Sequence, residues 1–303
     1  MREIKKQRYK RRINSLKLRV EELEEQHEAT QDMMQMTADY LHSTQNKLQR
    51  ANRHMSDSIQ YAQRIQRAML DSPAQVNQVF PKNFVLYEPK DVLSGDLYWF
   101  RRLMGLNYVA VVDCTGHGVP AAMLTVLALS LLNQVVISFG VTDPAEILGQ
   151  LDVLLSQYTR DPMKQNQVKD GLDIVLCCHD AEQGELVVAG AHRPLYLIRD
   201  GELHQIKGAR YSLGANDERS NLLKSQTIEV EKGDRLYLFS DGFPDQFGGA
   251  ENRKYMVGKF KKLLLEVSDL PMEEQNRKLK TVFQEWRGEQ TQTDDVLVVG
   301  VEI

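Results

Sequence analysis

The chain has 303 residues, which is enough for about two domains by the usual relation between length and domain number. Its apolar content of 42% and its charged content of 26% are ordinary for a water-soluble globular protein. The formal net charge of −4 argues against a dedicated nucleic-acid-binding protein, which would be basic.

The opening segment is predicted to be one long helix. The first proline is Pro73 and the first glycine is Gly95, and the residues before them are rich in Glu, Gln, Lys, Arg and Met. A stretch of this kind without either helix breaker favours a continuous helix. Pro73 should end it, because the residue before a proline is driven out of the helical region. We therefore expect residues 1–72 to form a long helix that also serves as a regulatory linker.

A heptad repeat runs through this helix. Its a positions are mostly apolar, whereas its d positions are small and polar in the middle. A lone helix has nothing against which to bury such a stripe, so the simplest arrangement is a parallel homodimeric coiled coil with a marginal seam. The a positions are Ile13, Val20, His27, Met34, Leu41, Leu48, Met55, Ala62 and Met69, and the d positions are Leu16, Leu23, Thr30, Thr37, Thr44, Ala51, Ser58 and Ile65.

Several features indicate a cytoplasmic protein. The N-terminus is basic but lacks the apolar region of a signal peptide. The longest apolar run, residues 121–137, is interrupted by polar residues and is shorter than the roughly 20 residues of a membrane span, so no span is expected. Cys114, Cys177 and Cys178 lie in apolar runs and are expected to be reduced core thiols.

From about residue 80 the pattern changes to short strands separated by turns, with two pairs of helices inserted. This order predicts an α+β domain over residues 80–303, in which two sheets pack face to face and are flanked by helices. The predicted strands are 83–89, 95–101, 106–113, 172–179, 185–190, 195–199, 202–206, 225–230, 235–240 and 296–303, and the predicted helices are 117–137, 144–158, 255–267 and 272–287.

Four aspartates lie at the ends of strand-like segments in this domain: Asp96, Asp113, Asp241 and Asp294. At such positions a carboxylate can leave a core strand and reach a shared pocket. Hard divalent cations such as Mn²⁺ and Mg²⁺ prefer oxygen ligands, and no set of His or Cys ligands accompanies these residues. The pattern predicts a hydrolytic centre that holds Mn²⁺ or Mg²⁺ and does not hold zinc.

The aspartates belong to five motifs that occur in a characteristic order. Together these motifs resemble those of the SpoIIE/RsbU-type bacterial phosphatases, which belong to the PPM superfamily of metal-dependent serine/threonine phosphatases. The resemblance covers about residues 80–303 and implies an αββα sandwich with the metals between its sheets. The motifs are SGD at 94–96, VDCTGHGVPAAM at 112–123, AGAHRP at 189–194, LFSDG at 238–242 and TDD at 293–295.

The resemblance also implies roles for individual residues. Asp113 would bridge two Mn²⁺ or Mg²⁺ ions, with the backbone carbonyl of Cys114 as a further ligand. Asp96 would act from the preceding strand, largely through water, and Asp241 and Asp294 would complete the shell of the second metal. Asp113 and Asp241 are the catalytic candidates in this scheme, because the chemistry needs no serine or cysteine nucleophile.

Four further residues are expected to have supporting or alternative roles. Asp295 is expected to support the site without binding a metal. Lys90 precedes the first aspartate and is a candidate for attracting phosphate. His117 is either a proton donor or a helix-entry residue. His192 stands where many relatives carry asparagine, and a structural hydrogen bond is the expected role.

The resemblance predicts a phosphatase that acts on phosphoserine or phosphothreonine of a bacterial signalling protein and is controlled through the N-terminal helix. It suggests a STAS-type anti-sigma-factor antagonist as the substrate. One alternative is a catalytically weak pseudophosphatase that acts as a coiled-coil signalling scaffold, although the four aspartates are intact. A metal-dependent nuclease is the other, and the acidic balance of the domain disfavours it.

Overall fold

The computed structural model describes residues 1–159, 171–214 and 222–303. By its internal contacts the chain divides into two compact units, Met1–Ser58 and Ile59–Ile303. Helix α1 (Arg2–Met69) makes up almost all of the first unit, and its last residues belong to the second. The prediction of a long opening helix is confirmed.

The first unit is helical and exposed along its whole length. Apolar side chains at the predicted a positions remain open to solvent, as Ile13, Leu41 and Leu48 show with exposed fractions of 52%, 61% and 61%. The hydroxyls of the d residues Thr30 and Thr37 donate to carbonyl oxygens four residues earlier in the same helix. Within the described residues, nothing covers the apolar stripe of this unit.

A short helix that the sequence analysis missed follows α1. Helix α2 (Pro73–Val79) begins with a capping box, in which the Ser72 side chain accepts from the Gln75 amide and the Gln75 side chain accepts from the Ser72 amide. Pro73 occupies the first helical turn, where its missing N–H costs nothing. The proline therefore ends one helix and starts another.

The strands form two five-stranded antiparallel sheets and one small hairpin. The first sheet has the order β1-β12-β9-β6-β7 and the second has the order β2-β3-β4-β5-β8. The strands are β1 (Asn83–Glu88), β2 (Asp96–Leu103), β3 (Leu106–Cys114), β4 (Leu172–Asp180), β5 (Glu185–Ala191), β6 (Leu195–Arg199), β7 (Glu202–Ile206), β8 (Gln226–Glu229), β9 (Arg235–Phe239), the hairpin β10 (Phe247–Gly248) and β11 (Arg253–Lys254), and β12 (Val296–Glu302).

Two pairs of helices cover the outer faces of the sheets, so the predicted αββα sandwich is confirmed. One pair packs on the second sheet and the other on the first. The helices of this domain are α3 (Val119–Asn133), which continues as a π-helical turn at Gln134–Ser138, α4 (Pro144–Thr159), the one-turn α5 (Gly242–Asp245), α6 (Val257–Val267) and α7 (Met272–Arg287).

The alternation of side chains along β3 decides what reaches the space between the sheets. Val109 and Val111 pack against the first sheet, whereas Ala110 and Val112 pack against the helices. Successive side chains of a strand point to opposite faces, so Asp113 continues the inter-sheet row. A carboxylate thus emerges where the apolar filling between the sheets ends.

Helix α3 and its π-helical turn form one stretch, Val119–Ser138, that is long and apolar enough to cross a membrane by length and composition. Of this stretch, 56% is buried inside the domain. A core helix of a soluble protein has the same properties, so the absence of a membrane span stays a prediction. The three cysteines are unpaired and buried, as expected for core thiols.

Candidate metal centre

Three aspartates stand side by side across the second sheet. Asp113 of β3 is the register partner of Asp96 on β2 and of Asp173 on β4. Like charges directly opposite one another destabilise a sheet, so such a row indicates a site that is kept for function. The sequence analysis missed Asp173, because its segment reads only as an apolar strand.

The first sheet contributes acidic residues from two loops. Asp241 lies two residues after the end of β9, and Asp294 and Asp295 lie directly before β12. A Cβ atom on Gly242 would stand 1.8 Å from the carbonyl oxygen of Asp295. Only glycine permits this close approach, which brings the two acidic loops together.

An arginine from the loop between β5 and β6 joins the two groups of carboxylates. The Nη2 atom of Arg193 lies 2.6 Å from Oδ2 of Asp113, 2.8 Å from Oδ2 of Asp241 and 3.2 Å from Oδ2 of Asp173. Its side chain is only 11% exposed. The sequence analysis included Arg193 in a motif but gave it no role.

The electrostatics show that this cluster is short of positive charge. Burial, together with repulsion from Asp241, Asp173 and Asp294, raises the pKa of Asp113 to about 7, although Arg193 opposes the shift. Burial alone would lower the pKa of the Arg193 guanidinium, but the surrounding carboxylates outweigh it and the pKa is raised. A further cation would therefore be attracted to this position.

Two of the predicted ligands lie at the edges of the cluster. Asp96 is buried and accepts a hydrogen bond of 2.6 Å from Oγ of Ser240. Burial, with repulsion from Asp113, raises its pKa well above the ordinary value. Asp294 is more open, and burial followed by repulsion from Asp241 raises its pKa also.

Asp295 connects the loops around the cluster. Its Oδ1 atom accepts from the backbone amide of Lys90 at 2.7 Å, and its Oδ2 atom accepts from that of Gly95 at 2.6 Å. Both carboxylate oxygens are thus occupied by backbone donors. Lys90 takes part through its main chain, and its side chain lines a neighbouring cleft.

The two histidines have different surroundings. Nδ1 of His117 lies 3.4 Å from Oδ2 of Asp91, and both side chains are about half exposed or more. Nδ1 of His192 lies 2.7 Å from Oδ2 of Asp173, so His192 makes the kind of structural hydrogen bond that was expected.

Cys114 follows Asp113, and its backbone amide donates to the carbonyl oxygen of Gly95 at 3.0 Å. Its thiol is buried, and burial with the nearby carboxylates raises the thiol pKa well above its usual value. A thiol held in its neutral form is a poor nucleophile.

The residues fit a hard cation by their chemistry. In their present positions, no group of three or more His, Cys, Asp or Glu side chains among the described residues could coordinate a metal ion directly. However, oxygens of Asp113, Asp173 and Asp241 surround one cationic nitrogen, that of Arg193, at 2.6–3.2 Å. An all-oxygen donor set of this kind is the one that Mg²⁺ and Mn²⁺ prefer.

Comparison with known proteins decides the family. Residues 106–303 match the family model described as Stage II sporulation protein E (SpoIIE). The chain belongs to the SpoIIE family. Its folded domain is similar to the SiaA-PP2C domain of Pseudomonas aeruginosa, with 32% identity and a TM-score of 0.75 over 84% of this chain and 98% of that chain. The SpoIIE-family domain is therefore of the PP2C serine/threonine phosphatase type, and the resemblance drawn from the motifs is confirmed.

Two more distant relatives extend the comparison. The phosphoserine phosphatase RsbU of Bacillus subtilis (strain 168) is 23% identical over 193 residues, which are 62% of this chain and 53% of RsbU. The chain thus spans about half the length of this curated relative. RsbX, solved in complex with magnesium, has 15% identity and a TM-score of 0.52 over 73% of this chain and 94% of that chain, and it shares the fold.

Proposed function

We propose that this protein is a Mn²⁺- or Mg²⁺-dependent phosphatase that hydrolyses phosphoserine or phosphothreonine on a protein substrate. The observation that carries the proposal is the meeting of Asp113, Asp173 and Asp241, from both sheets, around one cationic nitrogen. Membership of the SpoIIE family and the phosphoserine phosphatase activity in the name of RsbU support it.

Asp113, Asp241, Asp294 and the carbonyl of Cys114 would hold the ions, with Asp96 behind them. The magnesium in the RsbX structure supports a hard cation of this kind. Such ions, when bound, offset the negative charge of a phosphomonoester and lower the pKa of the attacking water. Cys114 has no nucleophilic role in this proposal, because its thiol is buried and its pKa is raised well above the usual value.

A cleft beside the acidic loop supports a macromolecular substrate. It encloses about 860 Å³ and is lined by Lys90, Phe247, Arg287 and Thr293, next to Asp294. Its wall carries the cationic Lys90 and Arg287 and also the acidic Glu88 and Asp91, which suits a polar protein segment with charges of both signs near the phosphate. A phosphorylated bacterial signalling protein fits this chemistry, and the family resemblance suggests a STAS-type anti-sigma-factor antagonist.

The proposed activity is tested by turnover of p-nitrophenyl phosphate and of phosphoserine peptides, with Mn²⁺ and with EDTA. We expect hydrolysis that depends on the metal and disappears in EDTA, because in the proposed mechanism the bound metal activates the attacking water. Equal rates under the two conditions contradict the proposal. Absence of any turnover with saturating Mn²⁺ favours the pseudophosphatase scaffold.

We also propose that the chain forms a parallel homodimer through residues 13–69. The support is the exposed apolar stripe of the first unit, in which Leu41 and Leu48 are each 61% exposed. A second copy of the same helix is the simplest partner for a heptad stripe. The paired helices would then act on the catalytic domain.

The last turn of α1 makes contacts that support this control. Gln66 is buried, and its Nε2 atom donates to the carbonyl oxygen of Ser94 at 2.7 Å and to Oγ1 of Thr125 at 3.0 Å. Its Oε1 atom accepts from the Ser94 amide at 3.1 Å. Ser94 lies two residues before Asp96, and Thr125 lies on α3, which follows the Asp113 motif. Rotation of α1 would therefore disturb two segments next to the metal ligands, the one before Asp96 and helix α3 after Asp113.

Gln66→Leu is predicted to uncouple the helix from the site. The leucine leaves the buried Ser94 and Thr125 groups without these partners, at a cost of about 1–3 kcal/mol for each unsatisfied group. We expect the Mn²⁺ concentration for half-maximal activity to shift by about tenfold. Gln60→Leu, at an exposed position of the same helix, is the matched control. The same Mn²⁺ dependence in both variants would mean that the Gln66 contacts carry no control.

A further inference from the structure

Arg193 has a donor that the protein leaves without an acceptor. Its Nη2 atom contacts three carboxylates, but its Nε atom is buried and has no hydrogen-bond partner among the described residues. A buried N–H without a partner costs free energy, so the arrangement calls for an acceptor from outside the chain. The side chain lies at the proposed metal ligands, where the phosphate of a substrate must come.

The main chain around Arg193 is built rigidly. His192 has a φ of 63°, in the left-handed region, and its amide donates to the carbonyl oxygen of Ala209 at 2.7 Å. The amide of Arg193 donates to the carbonyl oxygen of Ala191 at 2.8 Å. A Cβ atom on Gly190 would lie 2.4 Å from the Arg193 carbonyl oxygen, so this packing requires glycine. The fold therefore fixes the point from which the arginine reaches into the site.

Asp173 is held in place to keep the guanidinium there. It accepts a hydrogen bond from Oγ of Ser212, and Nδ1 of His192 lies 2.7 Å from its Oδ2 atom. Its side chain is only 11% exposed. Asp173 is anchored by Ser212 and His192, so it can hold Arg193 when cations engage Asp113 and Asp241.

We propose that Arg193 binds the phosphoryl group of the substrate and that Asp173 is its positioning residue. This inference rests on the proposed phosphatase function. The planar guanidinium presents parallel N–H donors that match two phosphate oxygens, which the single ammonium of a lysine does not. In the metal-free protein, the same group neutralises Asp113 and Asp241 and so takes the place of a cation.

The test compares the full-length wild-type chain with Arg193→Gln, Arg193→Lys and Asp173→Asn by isothermal titration calorimetry. Mn²⁺ is titrated first without phosphate, and inorganic phosphate is then titrated into the Mn²⁺-loaded protein. We expect Arg193→Gln to bind Mn²⁺ as tightly as the wild type or more tightly, because a competing cation is gone. We expect its phosphate affinity to fall about tenfold or more. Arg193→Lys and Asp173→Asn should bind phosphate several-fold more weakly, with Mn²⁺ affinity retained.

Arg199→Gln is the matched control. Arg199 stands six residues further on, at the end of β6, and is paired with the buried Asp234. Its loss removes an arginine–aspartate pair of similar kind, but both titrations should remain as in the wild type. Melting temperatures of all variants show that each one is folded.

Each contrary result overturns a defined part of the inference. Unchanged phosphate affinity in folded Arg193→Gln, or a parallel loss of its Mn²⁺ binding, overturns the role of Arg193. If that variant does not fold, Arg193→Lys decides, and wild-type phosphate affinity there overturns the role. Loss of Mn²⁺ affinity in Asp173→Asn overturns the positioning role of Asp173 and makes it a metal ligand. A wild-type chain without metal-dependent turnover overturns the proposed function itself.

Discussion

Replacing Asp113 with asparagine should lower the Mn²⁺-dependent turnover of a phosphomonoester by about a hundredfold or more. Asp113 lies in the centre of the row between Asp96 and Asp173 and contacts Arg193, so its carboxylate is shared by the whole cluster. An amide has no negative charge with which to hold a divalent cation. Asp241→Asn removes a carboxylate from the opposite sheet and should cause a loss of similar size.

The same substitution should not harm the fold. Asp113 is buried among carboxylates that repel it, and this raises its pKa in the metal-free protein. Removing one of several mutually repelling charges should leave the melting temperature in EDTA unchanged or higher, whereas the stabilisation by added Mn²⁺ should be lost. Turnover is measured at saturating Mn²⁺, and unfolding is measured in parallel with and without EDTA.

Asp245→Asn provides the matched control for both substitutions. Asp245 ends the short helix that follows Asp241, but its carboxylate pairs with Lys254 at 2.7 Å and is 39% exposed. We expect this variant to keep its metal dependence and most of its activity. If Asp113→Asn were as active as Asp245→Asn, the acidic cluster would not be the catalytic centre.

Replacing both Leu41 and Leu48 with aspartate should convert the proposed dimer into monomers at micromolar concentration. Both residues occupy a positions and are exposed in the single chain, so the change should not affect the folding of the catalytic domain. In a dimer, each substitution would remove a buried leucine and place a charge in the seam, at a cost of roughly 2–5 kcal/mol for the lost packing alone. Sedimentation velocity of the full chain measures the effect.

Ser43→Asp with Asn46→Asp is the control for the added charge. These residues lie on the same stretch of helix at the c and f positions of the predicted heptad, outside the seam. This double variant should remain dimeric. A wild-type chain that sediments as a monomer at micromolar concentration contradicts the proposed dimer. Dissociation of both double variants would mean that added charge, and not the a and d positions, controls association.

The sequence by itself determined the order and type of most elements. The absence of glycine and proline over about 70 residues is a local property, and a long helix follows from it directly. Short apolar runs bounded by turn residues likewise indicated the main strands. Strands β3 and β4 are apolar on both faces, because helices cover one face and the other sheet covers the second. The sequence could not show α2, because Pro73 is compatible both with the end of one helix and with the start of another. The four motif aspartates were found because each one lies within two residues of an apolar run.

Only the tertiary structure decided which other residues meet these aspartates. Asp173 joins the row because β4 pairs with β3 in one particular register, and strand register is not readable from a single apolar segment. Arg193 reaches the centre from a loop between the two sheets, and Gln66 reaches Ser94 over 28 residues of chain. These contacts depend on long-range packing, in which the partners are set by the arrangement of whole layers and not by their neighbours in the sequence.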